Sequence, residues 1–211
     1  MRALVVGTFL TLDGVMQGPG GPEEDRRGGF AHGGWVVPHF DDTLGRAMDE
    51  WVARADALLL GRRTYELFAA HWPHAGGDDP MALNLNSLPK HVASRTLDRV
   101  DWDNSSLIAG DVAEAVAELK RWPGSEIHVH GSGELIQTLM AHDLVDEYRL
   151  RIFPVLLGTG KRLFAGGTAP TGLELVDTAT TATGVVMQTY RRAGAPEYGS
   201  FALDQPESGQ N

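Results

Sequence analysis

The chain has 211 residues, 42% of them hydrophobic, which suits one α/β domain and leaves little room for two. Its formal net charge of -10 argues against nucleic acid or an anionic membrane as the main partner. It has no cysteine, which excludes disulfides, a thiolate nucleophile and a zinc–thiolate centre, and which fits a reducing cytoplasm.

The N-terminal stretch enters an alternating strand at once. It has no long apolar segment with a small-residue cleavage site, so no signal peptide is read, and no apolar run approaches the ~18 residues of a membrane span. Ala3–Leu10 reads as a buried strand. Asp13 to Trp35 is crowded with glycine and proline, and so long a stretch without periodicity is usually a functional loop or disordered. From Asp41 or Asp42, as N-cap, the apolar residues Leu44, Ala47, Met48, Trp51, Val52 and Ala55 recur at helical spacing. "ALLLG" is a strand, and a helix follows from about Thr64. Residues 73–89 read as a loop with one helical turn at most. "KHVAS" and "SLIAG" are short strands. "DVAEAVAELKRW" is a helix capped by Asp111. "EIHVHG" is a strand, "GELIQTLMAHDLV" a helix and "EYRLRIFPVLLG" a long strand. "LELVDTATTATGVVMQTYRR" is a terminal hairpin turning at "TTATG". One domain therefore covers 1–192, and 193–211 form a polar, frayed tail. The alternation gives a three-layer α/β/α architecture, with a mixed, mostly parallel central sheet and a C-terminal antiparallel hairpin.

Two strand-to-helix junctions carry chemistry. In "LLLGRRTYELF", Gly61 lets a ligand approach the backbone, Arg62 and Arg63 supply fork-shaped donors, and Thr64 is placed to cap the helix. A helix N-terminus there favours an anion. In "HGSGELI", Gly131 and Gly133 free the backbone and the helix from Glu134 offers a second N-terminus. This is no Rossmann fingerprint, because Gln137 stands near the slot of the third glycine. Two such junctions in one sheet suit a dinucleotide. "LLGTGKRLF" fails as a P-loop, since Val155 replaces the first glycine and Arg162 the hydroxyl. His128 and His130 share a strand face, but no carboxylate set completes a metal site, and the structural reading prevails. Asp13 is a turn residue, or it faces the pocket beyond the carboxyl end of the first strand.

Together these residues resemble the dihydrofolate reductase-like family, and within it the reductase domain of riboflavin biosynthesis, the C-terminal half of the bifunctional deaminase–reductase. "TLDGVM", "LLLGRRTYELF" and "HGSGELIQTLMAHDLVDEYRLRIFPVLLGTGKRLF" carry the resemblance over about Arg2 to Arg192. It implies NADPH, held by Gly61, Arg62, Arg63 and Thr64 on one side, by Gly131, Ser132, Gly133, Glu134 and Leu135 on the other, and by Ser94 and Arg95 near the adenosine. It implies that Gly14–Trp35 is a lid, that Trp35, Tyr65 and Phe68 wall the substrate, and that Asp13 is the candidate proton donor. It also suggests a homodimer through the terminal hairpin. The acidic residue that dihydrofolate reductases carry on the first helix is replaced at about Gly45, and no arginine set for a ribose-phosphate is identified beyond Arg46 and Arg54. The expected function is hydride transfer from NADPH to a small heterocyclic or carbonyl-like substrate. The alternatives are the riboflavin-precursor reductase proper and a non-catalytic NADP-binding protein.

Overall fold

The computed structural model describes residues 1–164, 166 and 168–201. Among the described residues, eight strands form one sheet in the order β4-β3-β2-β5-β1-β6-β8-β7. They are β1 (Ala3–Thr11), β2 (Ala55–Gly61), β3 (Lys90–Ala93), β4 (Ser105–Leu107), β5 (Glu126–His130), β6 (Glu147–Phe153), β7 (Leu173–Thr180) and β8 (Val186–Arg192). Strands β4 to β6 pair in parallel, and β8 and β7 close the far edge antiparallel, as the sequence pattern predicts.

Among the described residues, five α-helices connect and cover the sheet: α1 (Asp42–Val52), α2 (Arg62–His71), α3 (Pro80–Ser87), α4 (Val112–Arg121) and α5 (Gly133–Ala141). The period of two in each strand decides what lies on either face. Leu4, Val6, Leu59, Ile127, Val129 and Leu150 point one way and pack against Val116, Leu119, Ile136 and Leu139 of α4 and α5. Their neighbours point the other way, toward α1, α2 and α3. There the core splits into one cluster with Leu58, Leu60, Val52 and Leu85 and another with Phe153, Trp35, Leu44 and Phe9.

Local chemistry sets the boundaries. Asp41 caps α1 by accepting from the Leu44 N–H at 2.9 Å, and Asp111 caps α4 by accepting from Glu114 at 3.0 Å. Strand β6 stops at Phe153 because Pro154 has no N–H to pair. Two expectations are corrected. Residues 80–87 form a full helix rather than a loop: Asp79 accepts from the Met81 and Ala82 amides, Pro80 occupies the first turn, and Ala82 and Leu85 are buried. Helix α2 begins at Arg62 with Gly61 as its N-cap, and Thr64 does not cap it. The tail's last residues, 202–211, lie outside the described residues.

Candidate active site

A cleft of about 1580 Å³ runs across the carboxyl ends of β1, β2, β3 and β5. Single small-molecule pockets span roughly 300–1,000 Å³, so this one has room for an extended ligand and a second molecule beside it.

One end is built by the two glycine junctions. Ser132 sits in the left-handed region (φ 51°) and leads into α5 without capping it. Its hydroxyl instead accepts from the Gly61 N–H at 2.9 Å, while the Ser132 N–H donates to the Thr64 hydroxyl at 3.0 Å. This reciprocal clasp ties the start of α2 to the start of α5. Gly131 (φ +53°) makes it possible, since a Cβ there would press on the Thr64 hydroxyl at 3.0 Å. Neither helix has a side-chain cap among the described residues, which leaves first-turn N–H groups of both helices without a side-chain partner there. Arg62 is engaged by Glu66 at 2.7 Å and by the Thr96 hydroxyl at 2.6 Å. Arg63 and Arg95 line the same end and make no hydrogen bond or ion pair among the described residues. The free cations are thus Arg63 and Arg95, not the adjacent pair. Ser94, beside them, accepts from the Thr96 and Leu97 amides and shapes the turn after β3.

The front wall is the Gly-rich segment. It is stitched down: Gln17 donates to the Asp25 and Arg27 carbonyls, and its own carbonyl oxygens accept from Trp35 Nε1 at 2.9 Å and Lys161 N at 3.0 Å. Glu24 lines the cleft there and accepts from the Gly20 and Gly21 amides. Burial pushes the Glu24 carboxyl upward against those hydrogen bonds, so it is a cleft acid that the sequence reading missed. Only its neighbours in space give it that role.

The deep end is formed by Gly7, Thr8 and Phe9 of β1 with Trp51, Phe68, His130 and Arg151. Trp51 stacks on His128 (centroids 4.9 Å) and on His130 (4.3 Å). It lies directly over Gly7, where a Cβ would overlap the indole ring.

Three expected residues lie outside the cleft lining. Asp13 does not line the cleft: it accepts from the Thr11 hydroxyl at 2.6 Å and the Gly158 and Leu157 amides at 2.8 and 3.2 Å. The Thr11 hydrogen bond outweighs burial and, with those amides, holds its carboxyl well below the usual carboxylate range, so it staples the turn as a carboxylate away from the cleft lining. Trp35 is buried in the core beneath the loop, against Phe153. Tyr65 is buried in the α2–α3 core, its hydroxyl accepting from the Asp101 and Trp102 amides. Of the three aromatics, Phe68 alone reaches the cleft.

The family model of the RibD C-terminal domain matches residues 2–187. The chain belongs to the RibD C-terminal domain family. Two relatives from Bacillus subtilis (strain 168), both uncharacterized, lie close in sequence. YyaP is 31% identical over 198 residues, 92% of this chain and 96% of its own. YwjB is 29% identical over 177 residues, 84% of this chain and 91% of its own. Among solved structures, a protein of Shewanella sp. PV-4 assigned provisionally to riboflavin biosynthesis superposes with a TM-score of 0.69 at 24% identity, covering 91% of this chain and 99% of that one. A pyrimidine reductase-like protein of Corynebacterium diphtheriae gives 0.58 at 13%, covering 91% and 92%. The diaminohydroxyphosphoribosylaminopyrimidine deaminase/5-amino-6-(5-phosphoribosylamino)uracil reductase of Thermotoga maritima gives 0.59 at 13%, with 91% of this chain matching 57% of that one. The family read from the glycine junctions is therefore this chain's family, and the RibD-type reductase fold is the one observed.

Proposed function

We propose that this RibD-family chain is an NADPH-dependent reductase acting on a small heterocyclic or carbonyl-like substrate. One observation carries the reading: two helix N-termini, clasped side by side, open on one end of a long cleft next to Arg63 and Arg95, and among the described residues the helices are uncapped and the two arginines unpaired. That arrangement fits the phosphates of a phosphorylated dinucleotide. The α2 and α5 amides would hold the pyrophosphate, and Arg63 and Arg95 the additional phosphate. When bound, NADPH supplies the hydride. The chain's own groups orient the partners and exclude water: Phe68 and Trp51 wall the deep end, and the stitched loop with Glu24 covers the front.

Family membership supports a second, narrower reading, reduction of the riboflavin precursor named for the Thermotoga protein. A non-catalytic NADP-binding protein would share the phosphate end and lack turnover. A homodimer and a cytoplasmic location belong to the same proposal. For the latter, no helix among the described residues is long and apolar enough to cross a membrane.

The test is titration of NADPH and NADH against the wild type and the Arg63→Ala/Arg95→Ala variant. A charge-assisted hydrogen bond contributes about 1.5–3 kcal/mol, so the variant should lose roughly tenfold to hundredfold in NADPH affinity and little in NADH affinity. Failure of both dinucleotides to bind the wild type overturns the reading. Oxidation of NADPH on the riboflavin precursor would select the narrower one.

A further inference from the structure

Beneath α1 the sheet carries charge where its other face carries hydrocarbon. Glu126, His128 and His130 of β5 share that face with Glu147, Arg149 and Arg151 of β6, on either side of Val5 and Gly7 of β1. Most of these charges close on one another. Arg149 binds Glu126 at 2.8 Å and Glu147 at 2.7 Å, and Arg191 approaches Glu147 at 3.7 Å. His128 lies 2.7 Å from Glu126. Two carboxylates therefore answer two arginines.

Arg151 is left over. It is 5% exposed, and among the described residues no carboxylate lies within ion-pair distance. Its Nη1 donates to the Arg149 carbonyl at 2.8 Å, and the guanidinium lies 4.4 Å from the centre of the Trp51 ring. Its Nε is buried and has no hydrogen-bond partner among the described residues. His130 is 8% exposed, its Nε2 is buried and unpartnered, and its ring makes no hydrogen bond among the described residues. Both residues are among those lining the cleft, beside Trp51 and Phe68. Burial pushes Arg151 down to about 9, with Arg149 acting in the same direction, so it still carries its charge at neutral pH. Burial holds His130 neutral there. A cation taken from water with no counter-charge is costly, and the face of an indole offsets only part of that. Trp51 and Arg151 also wall a second cavity of about 130 Å³ under the hairpin, too small for a ring-sized ligand. The cleft side is the one with room.

We propose that Arg151 and His130 anchor a carboxylate of the substrate at the deep end of the cleft. The uncompensated guanidinium offers a carboxylate a charge-assisted hydrogen bond, and the neutral imidazole beside it adds a second donor. The charge count selects a monoanion. One unpaired guanidinium neutralises one negative charge, and the second charge of a phosphate dianion would be buried unopposed. This inference rests on reading the cleft as a reductase site, because it assigns the deep end to the substrate and the opposite end to the dinucleotide.

The experiment titrates benzoate, benzamide and inorganic phosphate into the full chain, with and without NADP. Affinity is read from the histidine-ring nitrogen resonances and from calorimetry. Benzoate should bind the wild type at least about tenfold more tightly than benzamide or phosphate and should move the His130 resonances. Arg151→Met should remove that preference, Arg151→Lys should keep part of it, and His130→Gln should weaken benzoate alone. Arg151→Met should melt no lower than the wild type, since replacing an uncompensated buried charge by an apolar side chain of similar volume relieves its desolvation. Equal binding of benzoate and benzamide, tighter binding of phosphate, or absence of benzoate binding overturns the proposal. So does an Arg151→Met protein that unfolds, because the arginine is then part of the core. The two readings fail separately. If NADP binds but benzoate does not depend on Arg151, the anchor alone is lost. If benzoate depends on Arg151 but no dinucleotide binds, the anchor stands and the reductase reading falls.

Discussion

Glu126 shows how one side chain couples the buried charges to stability. Burial pushes its carboxyl up, but the hydrogen bonds and charges of His128 and Arg149 outweigh that and bring it down to about 2 from 4.5. A folded-state value below the unfolded one stabilises the protein above pH 4.5, and that stability is lost as pH falls toward 2. The shift corresponds to about 3 kcal/mol. Denaturant melts from pH 7 to pH 2.5 should show the wild type losing this increment below pH 4.5, and Glu126→Gln should show a flatter acid limb from a lower start. An unchanged acid limb would place the linkage elsewhere. Gly7 makes a second residue-scale case. A methyl group there overlaps Trp51, so Gly7→Ala should cost about 3 kcal/mol or shift the indole, read as a lower melting temperature and a changed Trp51 resonance.

At the scale of elements, the clasp between α2 and α5 is the feature on which the phosphate end depends. Thr64→Val keeps the shape and removes the acceptor of the Ser132 N–H. Chemical denaturation should show a loss of about 1 kcal/mol, the ordinary worth of one hydrogen bond. NADPH affinity should fall further than stability, because both helix starts lose their mutual position. A variant with unchanged NADPH affinity would show that the two N-termini need no clasp. The same element-level logic explains the front loop. Its glycines and prolines look unstructured along the chain, but Gln17, Asp25 and Trp35 tie it to Lys161 and to the core.

For the whole molecule, the outer strand is the exposed feature. Every residue of β7 is exposed, and Leu173, Leu175 and Val176 present apolar side chains at 39%, 48% and 44% exposure. An edge strand of this kind is a template for pairing or a surface to be covered. The proposed homodimer should appear as twice the chain mass in light scattering after gel filtration, and Leu175→Lys/Val176→Lys should return it to the single-chain mass without altering the fold by circular dichroism. A wild type that runs as a monomer across the micromolar range would remove the hairpin as an interface.

The sequence alone determined the order of elements, the parallel sheet with its antiparallel hairpin, the family and the two glycine junctions. Each is encoded within a few residues: period-two strands, Asp caps, and glycine between a strand and a helix. It did not determine α3, whose weak periodicity is overridden by the Asp79 cap and the burial of Leu85. It did not place the aromatics, because burial of Trp35 and Tyr65 depends on partners far along the chain. The charged column was half legible. The alternation in Glu126–His130 and Glu147–Arg151 is plain to read, but only the strand order β5-β1-β6 sets the two rows on either side of Gly7 and beneath Trp51. Which cation is left without a counter-charge is a sum over neighbours in space, and that sum exists only once the chain is folded.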